Sequence, residues 1–318
     1  MKVSLTEIAE YLSQAQRIVL TAHVNPDGDA IGSCLAMFQA LKSLGKEVHV
    51  CLADEPLRNF AILPNFSAIT KPPVEISNKL AVDVLLILDT SLERIGTVHD
   101  FVTAKKILNV DHHVTNRAEG VIAYVAPERA ATAEIVYHLL AEMHVPLDEG
   151  MATCIYAGVA TDTGFFRFSN VTPQTLRIAA DLVEHGAKPA QISEAMDSKP
   201  YARVVGMARA VERTELLCDG KLAALFLDEN MASTLDSSEG LIDFIRIIEG
   251  TDVALLLKWK AEGCRVSMRS KKTDVSRIAA KFGGGGHIRA AGCTLKMPFD
   301  EARAAIVQAI GEALEAQV

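Results

Sequence analysis

The sequence lacks the features of membrane-spanning, secreted and disulfide-stabilised proteins. Its uninterrupted aliphatic runs, such as Val84–Leu88, are far shorter than the roughly 20 residues that a transmembrane helix needs. The N-terminus carries Glu7 and Glu10 where a signal peptide would need an apolar segment. The six cysteines contain no Cys-x-x-Cys pair, which argues against both a disulfide framework and a thiolate zinc site. We therefore expect a cytoplasmic protein whose cysteines are buried as small apolar residues.

Aromatic residues and positive charge are also scarce. Aromatics make up 5% of the chain and the net charge is −8, which disfavours a protein that coats long nucleic acids through phosphate attraction. The exception is residues 258–289, called the basic segment below, which contain nine Lys or Arg residues and two acidic residues, Glu262 and Asp274. The net charge of that segment is about +7, so the net charge of the rest of the chain is about −15.

The content of 49% apolar and 23% charged residues over 318 positions predicts a well-packed chain with room for two domains. The first half alternates short aliphatic runs with helical patterns, which is typical of an α/β fold with a parallel sheet. The predicted strands are 17–23, 47–52, 83–89, 105–110 and 121–125. The predicted helices are 4–15, 29–44, 131–144, 148–161 and 172–185.

A domain boundary is predicted near residues 184–204, where polar helical turns are broken by Pro189 and Pro200. We expect a first domain at 1–188, a helical linker at 189–212 and a smaller second α/β domain at 213–318. In the second domain the predicted elements are strands 221–227, 252–260 and 263–270, a helix 274–282, a GGGGH loop at 283–287 and a closing helix 299–316.

Acidic and histidine side chains recur where the predicted strands of the first domain end. Parallel strands place their carboxyl ends at one edge of a sheet, so these side chains should meet there. They are His23, Asp27, Asp29, Asp89, Asp111, His112 and His113. Asp162 lies within an apolar helix and shares the pattern of an acid in apolar surroundings.

Each of these residues alone has a structural explanation. Asp29 could cap the helix 29–44, Asp89 could cap a turn, and His112 could be a buried imidazole with a satisfied hydrogen bond. Several carboxylates at one sheet edge repel each other unless cations neutralise them, however, and this favours bound metal. Oxygen-rich ligation with some imidazole suits Mn²⁺, or Mg²⁺ as second choice, and the tight Asp-Gly-Asp turn lets two carboxylates address two ions.

Five motifs together resemble the DHH phosphoesterase superfamily, in the branch with a DHH-associated C-terminal domain. In chain order they are HVNPDGDAIGS, LDTSLERIG, DHHVTN, ATDTGFF and GGGGHIRAAG, which run from residue 23 to 292. The sequence is most similar to the short NrnA-type members, which degrade nano-RNA and dephosphorylate 3′-phosphoadenosine 5′-phosphate (pAp). The resemblance implies an active site in the cleft between the two domains.

The resemblance also implies a role for each matching residue. His23 and Asp27 would hold one metal, Asp89 would bridge two metals, and the second site would be completed by Asp29, His112 and Asp162. Asp111 would orient the metal-binding histidine, and His113 would contact the scissile phosphate or assist the leaving oxygen. In the basic segment the terminal phosphate and sugar of a short nucleotide would be bound by Arg265, Arg269, Gly284, Gly285, Gly286, His287 and Arg289.

We therefore predict a two-metal hydrolase whose substrates are short RNA oligonucleotides and pAp, with no role for long duplex nucleic acid or membranes. The alternatives are a single-strand-specific exonuclease, a cyclic-dinucleotide phosphodiesterase and a nucleotide sensor without turnover. The sequence leaves open whether the chain forms a homodimer.

Overall fold

The alternating aliphatic and helical segments of the first half build one parallel sheet. A computed structural model describes residues 1–75, 78–234, 238 and 240–316, and divides the chain into the units Met1–Ser198 and Lys199–Val318. The strands of the first unit are β1 (Arg17–Thr21), β2 (Glu47–Cys51), β3 (Ile69–Thr70), β4 (Leu80–Leu88), β5 (Val102–Asp111) and β6 (Ile122–Val125). Its helices are α1 (Leu5–Gln14), α2 (Gly28–Ser43), α3 (Val98–Phe101), α4 (Thr132–Glu142), α5 (Glu149–Asp162), α6 (Pro173–Glu184) and α7 (Pro189–Asp197).

The order of these strands is β3-β2-β1-β4-β5-β6, and the described pairs are parallel. The chain extends the sheet from β1 through β2 to β3, and then continues on the other side of β1 with β4, β5 and β6. The strand order therefore reverses between β1 and β4, which is where open α/β sheets form a crevice at the carboxyl ends of their strands. His23 follows β1 and Asp89 follows β4, so both lie at this reversal.

Alternate residues of the strands face two different cores. Ile18 and Leu86 belong to the core that includes α1, α2, α4 and α5, whereas Val19 and Ile87 face a smaller cluster that includes Val98 of α3. Both faces of β1 and β4 are thus covered, as expected for nearly continuous aliphatic strands.

Small residues allow α2, α4 and α5 to approach each other beside the sheet edge. A Cβ atom added to Gly32 of α2 would lie 2.3 Å from the carbonyl oxygen of Cys154 in α5. A Cβ on Gly158 of α5 would lie 2.6 Å from Cβ of Ala133 and 3.0 Å from Oδ1 of Asp29. Glycine at these two positions therefore brings the starts of α2 and α4 against α5.

The second unit contains a mixed sheet. Its strands are β7 (Glu215–Leu217), β8 (Leu222–Leu227), β9 (Val253–Lys258), β10 (Cys264–Ser270), β11 (Gly285–His287) and β12 (Ala290–Leu295). Its helices are α8 (Tyr201–Val211), α9 (Glu229–Thr234), α10 (Leu241–Arg246), α11 (Val275–Lys281) and α12 (Phe299–Glu315). The order is β11-β12-β10-β9-β8-β7, in which β8 and β9 are parallel and the other described pairs are antiparallel.

The predicted fold class is confirmed: a parallel-sheet α/β unit is followed by a smaller α/β unit. The predicted linker 189–212 consists of α7 in the first unit and α8 in the second. The prediction of a loop at GGGGH is confirmed for Gly283 and Gly284 and is wrong for Gly285–His287, which form β11. Glycines have low strand propensity, but β11 pairs with the adjacent β12, whose small residues also escaped prediction.

Candidate metal centre

Asp89 lies at the centre of the acidic and histidine residues of the first unit. It is 1% exposed, and its carboxylate is 3.5 Å from Nε2 of His23, 3.4 Å from Nε2 of His112 and 3.7 Å from Nδ1 of His113. Its backbone has φ +61°, a left-handed conformation that is uncommon outside glycine and concentrates at functional sites. The hydroxyl of Thr132 donates a hydrogen bond of 3.0 Å to Asp89 Oδ1. The sequence analysis did not identify Thr132.

His23 and Asp27 approach Asp89 from the loop after β1. The distance between His23 Nε2 and Asp27 Oδ1 is 3.7 Å. Asp27 is also the N-cap of α2, because its Oδ1 accepts hydrogen bonds from the backbone N–H groups of Asp29 and Ala30, both at 3.1 Å. The helix cap considered for Asp29 is therefore provided by Asp27.

Asp29 instead caps a different helix. Its two oxygens accept hydrogen bonds from the backbone N–H groups of Thr132 at 2.6 Å and Ala133 at 2.7 Å, at the start of α4. The α4 N-cap residue, Ala131, has no side chain able to do this, so a carboxylate from α2 replaces it. Asp29 Oδ2 is also 3.8 Å from Nε2 of His112, so the same carboxylate faces the histidine cluster.

Asp162, the last residue of α5, completes this side of the cluster. Its Oδ2 is 3.5 Å from Nε2 of His112, and its side chain is one-quarter exposed. The other ring nitrogen of His112, Nδ1, lies 3.3 Å from the carbonyl oxygen of Arg129. Asp29, Asp89 and Asp162 thus surround the same nitrogen of His112.

The contacts of the Asp111 side chain differ from the expected ones. It was expected to orient the metal-binding histidine, His112, but its Oδ1 lies 2.8 Å from Nδ1 of His113. It contacts His112 through the backbone, accepting the N–H groups of His112 at 2.8 Å and His113 at 3.1 Å. The short side chain of Asp111 closes a local turn, and the next ring that it can reach is that of His113.

Two buried amides that the sequence analysis did not identify lie behind this turn. Asn116 donates to Asp111 Oδ2 at 2.6 Å and to Asn109 Oδ1 at 2.8 Å. Asn109 donates to the carbonyl oxygens of Ile87 and Thr90. The available signal was one polar residue, Asn109, in the apolar run that precedes Asp111.

Burial and neighbouring groups shift the pKa values of the cluster in directions that differ from residue to residue. Burial raises the pKa of Asp29 well above its usual value and the charge of Asp89 adds to this effect, while burial raises the pKa of Asp162 to about 6. Burial also tends to raise the pKa of Asp89, but hydrogen bonds from His112 and His23 outweigh it and hold that pKa well below its usual range. Burial lowers the pKa of His23, but Asp27 and Asp89 outweigh it and raise the pKa to about 11. Positive charge near these carboxylates would reduce their mutual repulsion, and divalent cations can supply it.

The donor set fits divalent metal. Within each of three groups in the first unit, one possible ligand atom per residue lies within 4.8 Å of the others. The groups are His23, Asp27 and Asp89; Asp29, Asp89 and His112; and Asp89, Asp111 and His113. Carboxylate oxygen with imidazole nitrogen is a donor set for ions such as Mn²⁺, and Asp89 belongs to every one of these groups. The buried cluster could hold divalent metal around Asp89.

In the second unit, three of the predicted substrate-binding side chains share one face of the sheet. Arg269 of β10 and His287 of β11 are both register partners of Ala290 in β12. Arg265 lies four residues before Arg269 on the same strand and therefore points to the same side. Arg289 lies in the turn between β11 and β12, where its guanidinium donates to the carbonyl oxygen of Lys272.

A further cation, Lys258 of β9, lies directly opposite Arg265. Burial and the neighbouring charges of Lys260 and Arg265 lower the pKa of Lys258. Like charges directly opposite on adjacent strands destabilise a sheet, so the Lys258–Arg265 pair carries an unfavourable concentration of positive charge on this face. The sequence analysis counted Lys258 in the basic segment but did not assign it to the site.

The glycines after α11 also have a packing role. The N–H groups of Gly283 and Gly284 donate to the carbonyl oxygens of Ala280 and Ala279 at the end of α11, so neither is a ready phosphate donor. A Cβ on Gly284 would lie 2.2 Å from the carbonyl oxygen of Gly292. Gly286 has φ +138°, and its Cβ would lie 2.5 Å from the carbonyl oxygen of Ala290. These glycines allow the close approach of β11 to β12.

Comparison with known proteins matches both units to described families. Residues 17–159 match the DHH family, N-terminal domain, and residues 219–316 match the DHHA1 domain. The bifunctional oligoribonuclease and PAP phosphatase NrnA of Thermus thermophilus is 37% identical over 310 residues, which cover 96% of this chain and 93% of that protein. The protein of the same name from Bacillus subtilis is 25% identical over 306 residues, covering 93% of this chain and 95% of that protein.

A similar solved structure is that of an exopolyphosphatase-related protein from Bacteroides fragilis. It has a TM-score of 0.85 and 26% identity, and the match covers 97% of this chain and 95% of that chain. Among the helices of the described residues, none has the length and apolar character needed to cross a bilayer.

Proposed function

Because this chain belongs to the DHH family and carries a DHHA1 domain, we propose that it is a metal-dependent phosphoesterase acting on short oligoribonucleotides and on pAp. It would hydrolyse the former to mononucleotides and remove the 3′-phosphate of the latter to give AMP. The observation that carries the proposal is the cluster of carboxylates and imidazoles around the buried Asp89. The names of the Thermus and Bacillus relatives support the two substrate classes.

The metal-binding roles follow from the groups that share Asp89. His23 and Asp27 would hold one divalent cation, and Asp89 would contact both cations. Asp29, His112 and Asp162 would hold the second. When bound, such a pair neutralises the oxygens of a transferring phosphoryl group and lowers the pKa of water. The donor set of oxygen with some imidazole favours Mn²⁺, with Mg²⁺ as the second choice.

Other residues of the first unit position these groups. Thr132 donates to Asp89 Oδ1, which fixes the orientation of the carboxylate that both cations would share. Asp111 accepts from Nδ1–H of His113, so Nε2 is the nitrogen that would face a phosphoryl or leaving oxygen, to which it would donate a hydrogen bond when the imidazole is protonated. His113 would thus contact substrate and Asp111 would orient it.

The second unit would bind the end of the substrate. The side chains of Arg265, Arg269 and His287 share one sheet face, where charge-assisted hydrogen bonds can hold a terminal phosphate. Arg289 beside them and the backbone of Gly285 and Gly286 would add further donors. Lys258 adds a cation directly opposite Arg265 and strengthens the attraction for phosphate.

The test is hydrolysis of a substrate series in Mn²⁺ and in Mg²⁺. The series contains pAp, RNA dinucleotides, RNA of about five nucleotides and RNA of about 24 nucleotides. We expect phosphate and AMP from pAp, mononucleotides from the short RNAs, and no product in excess EDTA. Binding of these nucleotides without turnover in either metal would instead identify a nucleotide sensor. Turnover that favours the longest RNA would indicate an exonuclease of the same family.

A further inference from the structure

A chain of buried hydrogen bonds connects the backbone around Asp89 to the ring of His113. We propose that Asn109 and Asn116, which form this chain, are positioning residues that hold Asp89 and His113 at one fixed separation. The predicted effect on turnover rests on the proposed function, whereas the predicted effect on Mn²⁺ binding does not depend on it.

The first link is Asn109, which clamps the backbone on both sides of Asp89. Asn109 lies on β5 directly opposite Ile87 and is fully buried. Its amide donates to the carbonyl oxygens of Ile87 at 3.2 Å and Thr90 at 2.7 Å. Asp89 lies between these two carbonyls with φ +61°, a conformation that persists only where the surroundings enforce it. Asn109 supplies that enforcement from the neighbouring strand.

The second link is Asn116, which joins Asn109 to Asp111. Its amide donates to Asn109 Oδ1 at 2.8 Å and to Asp111 Oδ2 at 2.6 Å, with a longer contact of 3.4 Å to the carbonyl oxygen of Thr90, and its Oδ1 accepts the backbone N–H of Ala118 at 2.8 Å. The two hydrogens and the oxygen of the amide therefore all have partners. A fully satisfied buried network permits one arrangement of its members and resists small displacements.

The third link is Asp111, which passes the constraint to the imidazole of His113. One carboxylate oxygen is held by Asn116, and the other lies 2.8 Å from Nδ1 of His113. The same nitrogen of His113 is 3.7 Å from Asp89 Oδ1. The network thus begins at the backbone carbonyls on both sides of Asp89 and ends at the ring of His113, which lies beside the Asp89 carboxylate.

The chemistry of the two amides explains why asparagine occupies these positions. Asn109 must donate to two carbonyls and accept from Asn116, and Asn116 must donate to a carboxylate. A carboxylate at either position would lack the donors, and at Asn116 it would face Asp111 with a like charge. An apolar side chain would leave buried carbonyl and carboxylate oxygens without these partners.

The experiment compares Asn109→Leu and Asn116→Leu with wild type. Leucine keeps the approximate volume and removes every hydrogen bond of the amide. Three quantities are measured: kcat and KM on pAp, the Mn²⁺ dissociation constant by calorimetry, and the thermal midpoint. Misplacement of a reacting group by about 1 Å can cost roughly 100-fold in rate, so we expect kcat to fall at least about 10-fold with KM changed less than about 3-fold.

The two variants should differ in Mn²⁺ affinity. Asn109→Leu releases the carbonyls on both sides of Asp89 and should weaken Mn²⁺ binding about 10-fold or more. Asn116→Leu removes only the longer contact with the Thr90 carbonyl and leaves Asn109 in place, so Mn²⁺ binding should stay within about 3-fold of wild type. The kcat losses should be less than multiplicative in the double variant, because both residues act through one network. Should Asn109→Leu not fold, Asn109→Thr keeps one donor on a strand-compatible side chain and should show the same effects in milder form.

Asn59→Leu is the matched control, since Asn59 donates to the carbonyl oxygen of Met196 and not to a member of the network. We expect Asn59→Leu to leave kcat and Mn²⁺ affinity unchanged, whatever its effect on the thermal midpoint. If the network variants behave like this control, with stability lowered and kcat and Mn²⁺ affinity unchanged, Asn109 and Asn116 are structural and the proposal is wrong. If wild type binds Mn²⁺ and turns over no nucleotide, the proposed function fails while the Mn²⁺ comparison still tests Asn109.

Discussion

Asp89→Asn should abolish turnover because it removes the carboxylate that every metal-binding group of the first unit shares. The substitution keeps the shape of the side chain, so the effect reports the loss of charge. It also replaces one acceptor oxygen by a donor that faces the imidazoles of His23, His112 and His113.

The magnitude follows from the number of sites that Asp89 serves. A residue that merely holds a metal ligand in place is worth about 10 to 100-fold in metal affinity, and a ligand is worth at least that. Because Asp89 faces both predicted cations, the combined affinity should fall by about 10²-fold to 10⁴-fold. Metal activation contributes several kcal/mol to such reactions, so kcat at saturating Mn²⁺ should fall by about 10³-fold.

The assay measures kcat on pAp and Mn²⁺ stoichiometry for Asp89→Asn and for Asp83→Asn. Asp83 lies on the same strand, and its carboxylate binds the backbone N–H groups of Gln16 and Arg17 and the amine of Lys105. This control makes the same chemical change far from the cluster and should leave kcat and Mn²⁺ stoichiometry unchanged. Retention of more than about a tenth of the wild-type kcat by Asp89→Asn would refute the two-metal assignment.

Three other predictions test the substrate face, the charge distribution and the packing. Arg265→Ala and His287→Ala should raise KM strongly and leave the Mn²⁺ content at the wild-type value. Metal analysis of the purified variants measures that content, and a loss of Mn²⁺ would contradict the prediction. At low salt kcat/KM should fall steeply from RNA of two to about five nucleotides to RNA of about 24 nucleotides, because the charge of about −15 outside the basic segment repels the additional phosphates. Moderate salt should screen this repulsion and narrow the difference, and equal efficiency on the longest RNA would contradict it. Gly32→Ala should lower the free energy of unfolding by about 1–3 kcal/mol, because its Cβ would lie 2.3 Å from the Cys154 carbonyl oxygen. Gly311→Ala, in a helix with room for a methyl group, should raise the free energy of unfolding slightly. Urea unfolding of both variants measures these two changes.

The convergence of His23 and Asp89 was predictable from the sequence. Both residues directly follow aliphatic runs, and parallel strands bring such positions to one sheet edge whatever the details of packing. The predicted strands and helices of the first half all appear, with ends that differ by a few residues. Periodicity and position along the chain were sufficient for this part of the fold.

The partners within the site could not be predicted, because they depend on contacts between residues far apart in sequence. The cap of α4 by Asp29 joins residues that are 103 and 104 positions apart. The partners of Asn109 depend on the register of β5 against β4, which sequence patterns do not specify. The strand at Gly285–His287 was missed because its pairing with β12 overrides the low strand propensity of glycine.

The capping of α4 by Asp29 affects the choice of an inactive variant for trapping substrate. A useful trap must stay folded and keep its substrate-binding surface while it loses turnover. Asp29→Ala would remove the acceptors of two buried N–H groups at the start of α4 and so destabilise the fold. Lost activity in this variant could then come either from the missing carboxylate or from unfolding. Asp162 lies at the end of α5 with a partly exposed side chain, so Asp162→Asn offers the cleaner trap for crystallising a nucleotide complex.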